Sequence, residues 1–227
     1  MDQPTIQLRE QLDLLSEMIL RLGGLTEDAI GKSVRALVDR DSALAEEVRN
    51  NDHLVDELEL EIDHLCMEIL ARHQPMARDL RFVATAMKIT PDLERIADHS
   101  VNISERAIDL AGRPLFHPTD EITTIADLAR GMLHDAVEAL IEKDADKAMS
   151  VIDRDDLVDR HYLTVFQQLL QGMKQDSSGV HRGLQLQSVA KWLERMADHI
   201  TNLAEQVIFM VRGQDIRHAG KLDVRSG

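Results

Sequence analysis

The sequence predicts an all-α protein made of two tandem, homologous three-helix bundles, six long helices in all. Three observations carry this. Aromatic residues make up only 3% of the 227 residues, against 30% charged, with just 5 prolines and 11 glycines to punctuate the chain; sandwiches and barrels need more aromatic and turn residues. Apolar residues recur at alternating steps of three and four, which keeps one stripe on one helix face. The second half of the chain repeats the first. At 44% hydrophobic, a chain of this length can bury a sizeable core.

The first helix is predicted over 5–39, on the stripe Leu8, Leu12, Leu15, Ile19 and Leu22. Asp41 reads as the N-cap of a second, over 41–72, with Leu44, Val48, Val55, Leu58, Ile62, Leu65 and Ile69 on one face. A third spans 75–111, with Pro75 in its first turn and Pro91 inside it, where a kink is expected. The string GRPLFHPT then breaks the pattern. Pro118 opens a fourth helix over 118–142, and Asp144 caps a fifth over 144–175. After QDSSGV, the stripe Leu186, Val189, Leu193, Met196, Ile200, Leu203, Val207 and Met210 marks a sixth over 181–212. Short connections make consecutive helices antiparallel neighbours, in a spectrin-repeat-like arrangement. The expected domains are 1–112 and 118–213, with 214–227 a frayed tail.

Self-similarity is the clearest signal. LERIADHSVNISERAI at 93–108 matches LERMADHITNLAEQVI at 193–208 at nine of 16 positions. Upstream, Asp41, Ala45, Val48, Asp52, Leu54, Val55 and Asp56 line up with Asp144, Ala148, Val151, Asp155, Leu157, Val158 and Asp159. The offset changes from 103 to 100, so the last connection is three residues shorter. A feature kept in both copies has been sampled twice within one chain.

Both copies keep two acidic pairs at i,i+4: Asp52/Asp56 with Glu94/Asp98, and Asp155/Asp159 with Glu194/Asp198. Residues four apart stack on one helix face, so paired carboxylates there repel. Beside an apolar stripe the cost rises with desolvation, and a cation, a basic side chain or a proton must offset it. A hard metal ion with oxygen ligands does so, and two helices would supply four carboxylates to one site. A single pair is usually just a solvated face; recurrence beside the seam makes these eight residues the candidate metal ligands. Asn102/Asn202 read first as surface polar groups. His99/His199 read as interhelix or supporting hydrogen-bond groups, and Met87, Met196 and Met210 as core.

The formal net charge of −15 disfavours direct nucleic-acid binding and attraction to anionic lipid, and suits cations or basic protein surfaces. One cysteine, Cys66, permits no intrachain disulfide. The first residues lack a signal-peptide pattern, and no apolar run approaches a membrane span; a cytoplasmic protein is expected. There is no Gly-rich phosphate loop and no HExxH. Ferritin-like di-iron sites need two Glu-x-x-His motifs, and only Glu61-x-x-His64 occurs. No catalytic constellation stands out, so no enzyme is expected. Nor does any basic cluster suited to phosphate.

The strings HQPMARDLRFV at 73–83, KITPDLERIADHSVNI at 88–103 and LERMADHITNLA at 193–204 resemble the PhoU family, the accessory regulators of bacterial phosphate uptake. The doubled E-R-x-x-D-H is the specific part, and the likeness runs through nearly the whole chain. The resemblance implies two three-helix bundles and multinuclear metal clusters, iron or zinc, with manganese or magnesium as other occupants. By matched position, Glu94/Asp98 and Glu194/Asp198 would hold them, with Asp52/Asp56 and Asp155/Asp159 facing. It also implies a negative regulator of phosphate uptake and the phosphate-starvation response. Such a protein links a phosphate-sensing histidine kinase to the ATP-binding subunit of the phosphate ABC transporter. It would be a homodimer, peripheral to the membrane through its partners. A ferritin-like metal store and a metal-free helical scaffold remain the alternatives.

Overall fold

The computed structural model describes residues 3–114 and 118–213, with side chains from Ile6 onward. Leu115, Phe116 and His117 of the joint, and the tail 214–227, lie outside the described residues. The helices are α1 (Gln3–Asp39), α2 (Ser42–Asn51), α3 (His53–His73), α4 (Ala77–Ala111), α5 (Thr119–Glu142), α6 (Ala145–Gln175) and α7 (Val180–Arg212), with a 3-10 turn at Ser177–Gly179 before α7. There is no strand among the described residues. The all-α prediction stands, with its helices close to the expected spans.

The apolar stripes become the core. Leu15, Ile19, Leu22, Ile62, Ile69, Leu93, Ile96, Leu193, Met196 and Ile200 are fully buried, and each large aliphatic contributes roughly 1.5–3 kcal/mol relative to exposure. Helix α1 packs on α2, α3 and α4; α5, α6 and α7 pack on one another. The two units meet along α4 against α7 and α1 against α5, leaving α3 and α6 on the outside. At the α1–α5 seam Gly23 makes room: a Cβ there would lie 3.0 Å from Val137 Cγ2.

Both expected caps form. Asp41 Oδ1 accepts from the Ala43 and Leu44 amides, and Asp144 Oδ1 accepts from those of Asp146 and Lys147. Pro91 sits inside α4, which runs through it. Pro75 is not in the first helical turn as expected. It belongs to the bend between α3 and α4, where Gln74 and Ala77 take positive φ.

The single helix expected over 41–72 is two. Asp52 separates α2 from α3 while keeping helical angles, φ −56 and ψ −42. The cause is local. The His53 ring lies 2.7 Å from the Asn50 carbonyl and competes for it, and Val55 N–H tightens to an i−3 bond on Asp52 O at 2.8 Å. The matching stretch of the second copy, with Asp156 in place of His53, stays continuous in α6.

Candidate functional site: two carboxylate faces

Each repeat brings its two acidic pairs onto neighbouring helices. Asp52 and Asp56, at the start of α3, face Glu94 and Asp98 on α4; Asp155 and Asp159 on α6 face Glu194 and Asp198 on α7. The acids are close enough to perturb one another. Asp52 is held above the usual carboxylate range by burial, then by Asp56 and, across the helix gap, Asp98. Burial also raises Glu94, followed by Asp98; Arg95 opposes, while Glu59 and Asp56 add to the rise. In the second copy burial pushes Asp155 up to about 6, with Asp159, Asp198, Asp156 and Glu194 contributing. Asp198 rises through burial, then Glu194, with Lys191 opposing. Asp52, unlike Asp41, makes no side-chain cap bond, so helix capping does not account for its carboxylate.

Nearby cations bind some of these oxygens. Arg95 Nη1 lies 3.1 Å from Asp98 Oδ2 and its Nε 3.5 Å from Glu94, but the arginine is 60% exposed, and such a pair is worth little. Lys191 Nζ lies 2.6 Å from both Glu194 oxygens and 5.5 Å over the Tyr162 ring. As the side chains stand, no group of three His, Cys, Asp or Glu among the described residues encloses an ion position. The donor set is nonetheless all carboxylate oxygen, with Asp52, Glu94, Asp98, Asp155 and Glu194 half-buried and Asp56, Asp159 and Asp198 exposed, which fits a hard cation.

The repeated histidines meet each other at the seam. The His99 and His199 rings are 5.9 Å apart, and His199 Nδ1 lies 2.8 Å from Asp92 Oδ1 across α4 and α7. Burial, then His199 and Arg195, lower His99 to about 4. His199 thus makes the interhelix hydrogen bond expected of it, whereas His99 Nδ1 is buried with no hydrogen-bond partner among the described residues. Asn102 is half-buried and Asn202 exposed. Glu61 and His64 both stand on the exposed side of α3, away from any ferritin-like interior. The sequence reading missed Glu59 and Lys191. Both occur in one copy only, so a search for repeated residues passes over them.

A family model for the PhoU domain matches residues 19–107 and 122–207. The chain belongs to the PhoU family. A phosphate-specific transport system accessory protein PhoU homolog of Pseudomonas putida is 39% identical over 217 residues, 94% of this chain and 84% of that protein. One from Caulobacter vibrioides is 36% identical, covering 96% of this chain and 95% of the relative. The crystal structure of PhoU from Pseudomonas aeruginosa superposes with a TM-score of 0.86 at 38% identity, over 91% of this chain and 99% of that one. That of the phosphate transport system regulatory protein PhoU from Streptococcus pneumoniae gives 0.85 at 29% identity, over 92% and 99%. Within this PhoU-family chain, no helix of the described residues is long and apolar enough to cross a membrane.

Proposed function

We propose that this chain is a cytoplasmic, non-enzymatic regulator of phosphate uptake, with its carboxylate faces as metal sites. The observation that carries the regulatory reading is the PhoU match across both repeats. The names of its relatives support a role in the regulation of phosphate transport. The finer proposal is negative regulation. When phosphate is plentiful, a homodimer connects a phosphate-sensing histidine kinase to the ATP-binding subunit of the transporter and restrains both. Its −15 charge favours basic protein surfaces over nucleic acid.

The metal part rests on the gathering of four acids in each repeat, which raises Asp52 and Glu94 in the first and Asp155 and Asp198 in the second. Asp52, Asp56, Glu94 and Asp98 would hold one group of ions, and Asp155, Asp159, Glu194 and Asp198 the other. A bound cation would supply the positive charge that relieves this repulsion. Oxygen donors favour iron(III), manganese or magnesium over zinc, which more often takes nitrogen and sulfur. The test of the adaptor reading is affinity purification of the chain from phosphate-replete cells, with cross-linking. Recovery of the kinase or the transporter ATPase is expected. Recovery of neither, with the chain itself intact and abundant, overturns it.

A further inference from the structure

A second kind of site lies at the opposite sign of charge. The start of α4, the end of α5 and the end of α7 enclose a cleft of about 220 Å³ lined by Arg78, Arg81, Phe82, Lys143, Met210 and Val211. Every charged group lining it is a cation, in a chain with 41 acids against 26 bases. None of the three has a carboxylate within ion-pair distance among the described residues, whereas Lys147, Arg182 and Arg212, also near helix ends, each have one. Arg81 donates its Nε to the Met210 carbonyl at 2.8 Å, which ties the guanidinium to the end of α7 at the cleft wall. Lys143 Nζ stands 6.0 Å from the Phe82 ring centre, at the outer limit of a cation–π contact. Phe82, Met210 and Val211 give the cleft an apolar wall.

Its counterpart in the other repeat shows what cations at this place do. Lys143 corresponds to Arg40; both follow the first helix of their repeat and take the same left-handed backbone, φ 58 and φ 60. There the joint between the repeats supplies the acceptors. Arg40 donates to the carbonyls of Ala111 and Arg113, and Arg182 donates to that of Pro114 while pairing with Asp176. That corner, bounded by Leu37, Arg40, Arg113 and Arg182, has only about 20 Å³ of room. Around Lys143 no main-chain oxygen among the described residues plays that part for Lys143 or Arg78. The acids closest in the fold are otherwise placed: Asp146 pairs with Arg212, and Asp79 lines the adjoining groove beside α1.

We propose that this cleft binds a small phosphate monoester. Its dianionic phosphoryl group sits among Arg78, Arg81 and Lys143, and its organic part lies on Phe82, Met210 and Val211. Arginine forks match phosphoryl oxygens, and three cations balance two negative charges with some excess. The apolar wall separates an ester from free phosphate, which would leave it uncovered.

Isothermal titration with phenyl phosphate and, separately, inorganic phosphate tests this. Phenyl phosphate is expected to bind once per chain, at least about tenfold more tightly than inorganic phosphate. The double variant Arg78→Gln with Lys143→Gln should weaken it at least about tenfold. Both residues are exposed, so helicity and thermal midpoint should hold; Arg78→Glu alone is a second variant with the same expected loss. Three results would overturn the proposal: no binding of phenyl phosphate up to about 10 mM, unchanged binding in both variants, or equal affinity for the two anions.

Discussion

In the first repeat, position 59 is glutamate and position 91 is proline; at the matching positions of the second stand Tyr162 and Lys191. The two carboxylate faces therefore differ in their surroundings although their four shared acids coincide. Each face has a fifth acid beside it, Glu59 raising Glu94 in the first and Asp156 raising Asp155 in the second, and the base adjoining the first is Arg95, mostly in water. The second carries a built-in counter-ion, Lys191 clamped on Glu194 and laid over Tyr162. Identical spacing on near-identical helices thus gives two faces with different counter-charges, a mostly exposed arginine beside the first and a lysine clamped on Glu194 in the second. The backbone differs as well: α2 and α3 are divided at Asp52, whereas α6 runs unbroken past Asp155.

The largest expected effect tests whether the repeats are equal beneath these faces. Leu93 and Leu193, each fully buried and each just before the acidic pair, should cost about 2–5 kcal/mol apiece when changed to alanine. Urea unfolding should show similar losses. A large inequality would mean that the cores, and not only the faces, have diverged. Next comes the counter-ion. Lys191→Met removes the cation and keeps the packing length, so metal affinity at the second face should rise about tenfold or more, near 1.4 kcal/mol. Competition with a chromophoric chelator measures it, and no change would sink the comparison.

A smaller effect concerns protons. Asp155 is pushed up to about 6 in the folded chain, against about 3.9 unfolded. Between those values the folded state holds a proton that the unfolded state has released. Its contribution to stability therefore falls as pH rises from about 4 to about 6, then stays level. In chelator-treated protein Asp155→Asn should stabilise by on the order of 1–2 kcal/mol at pH 7, after allowance for solvent screening. Near pH 4 the gain should vanish. A gain independent of pH would place the cause in packing instead of charge.

Much of this was legible in the sequence because period and repetition are long-range averages. Eight-residue stripes such as Leu186 to Met210 survive any single local accident, and the doubled acids declared themselves by recurring. What escaped reading was single and local, or assembled from afar. The break at Asp52 turns on one imidazole reaching the Asn50 carbonyl, which no stripe registers. Glu59 and Lys191 are asymmetric, and a search for repeated residues discards asymmetry. Arg78, Arg81 and Lys143 come together only because α4, α5 and α7 end at one corner. In sequence they look like scattered charge in an acidic chain, and no basic cluster was visible there.

The most direct test of the central claim is elemental analysis of untagged protein after exposure to iron, manganese, magnesium and zinc. It compares the wild type with Glu94→Gln/Asp98→Asn and with Glu194→Gln/Asp198→Asn. The account predicts more than one ion per chain in the wild type, with the first double variant losing the larger share. No metal in the wild type, or full metal content in the first variant, would contradict it.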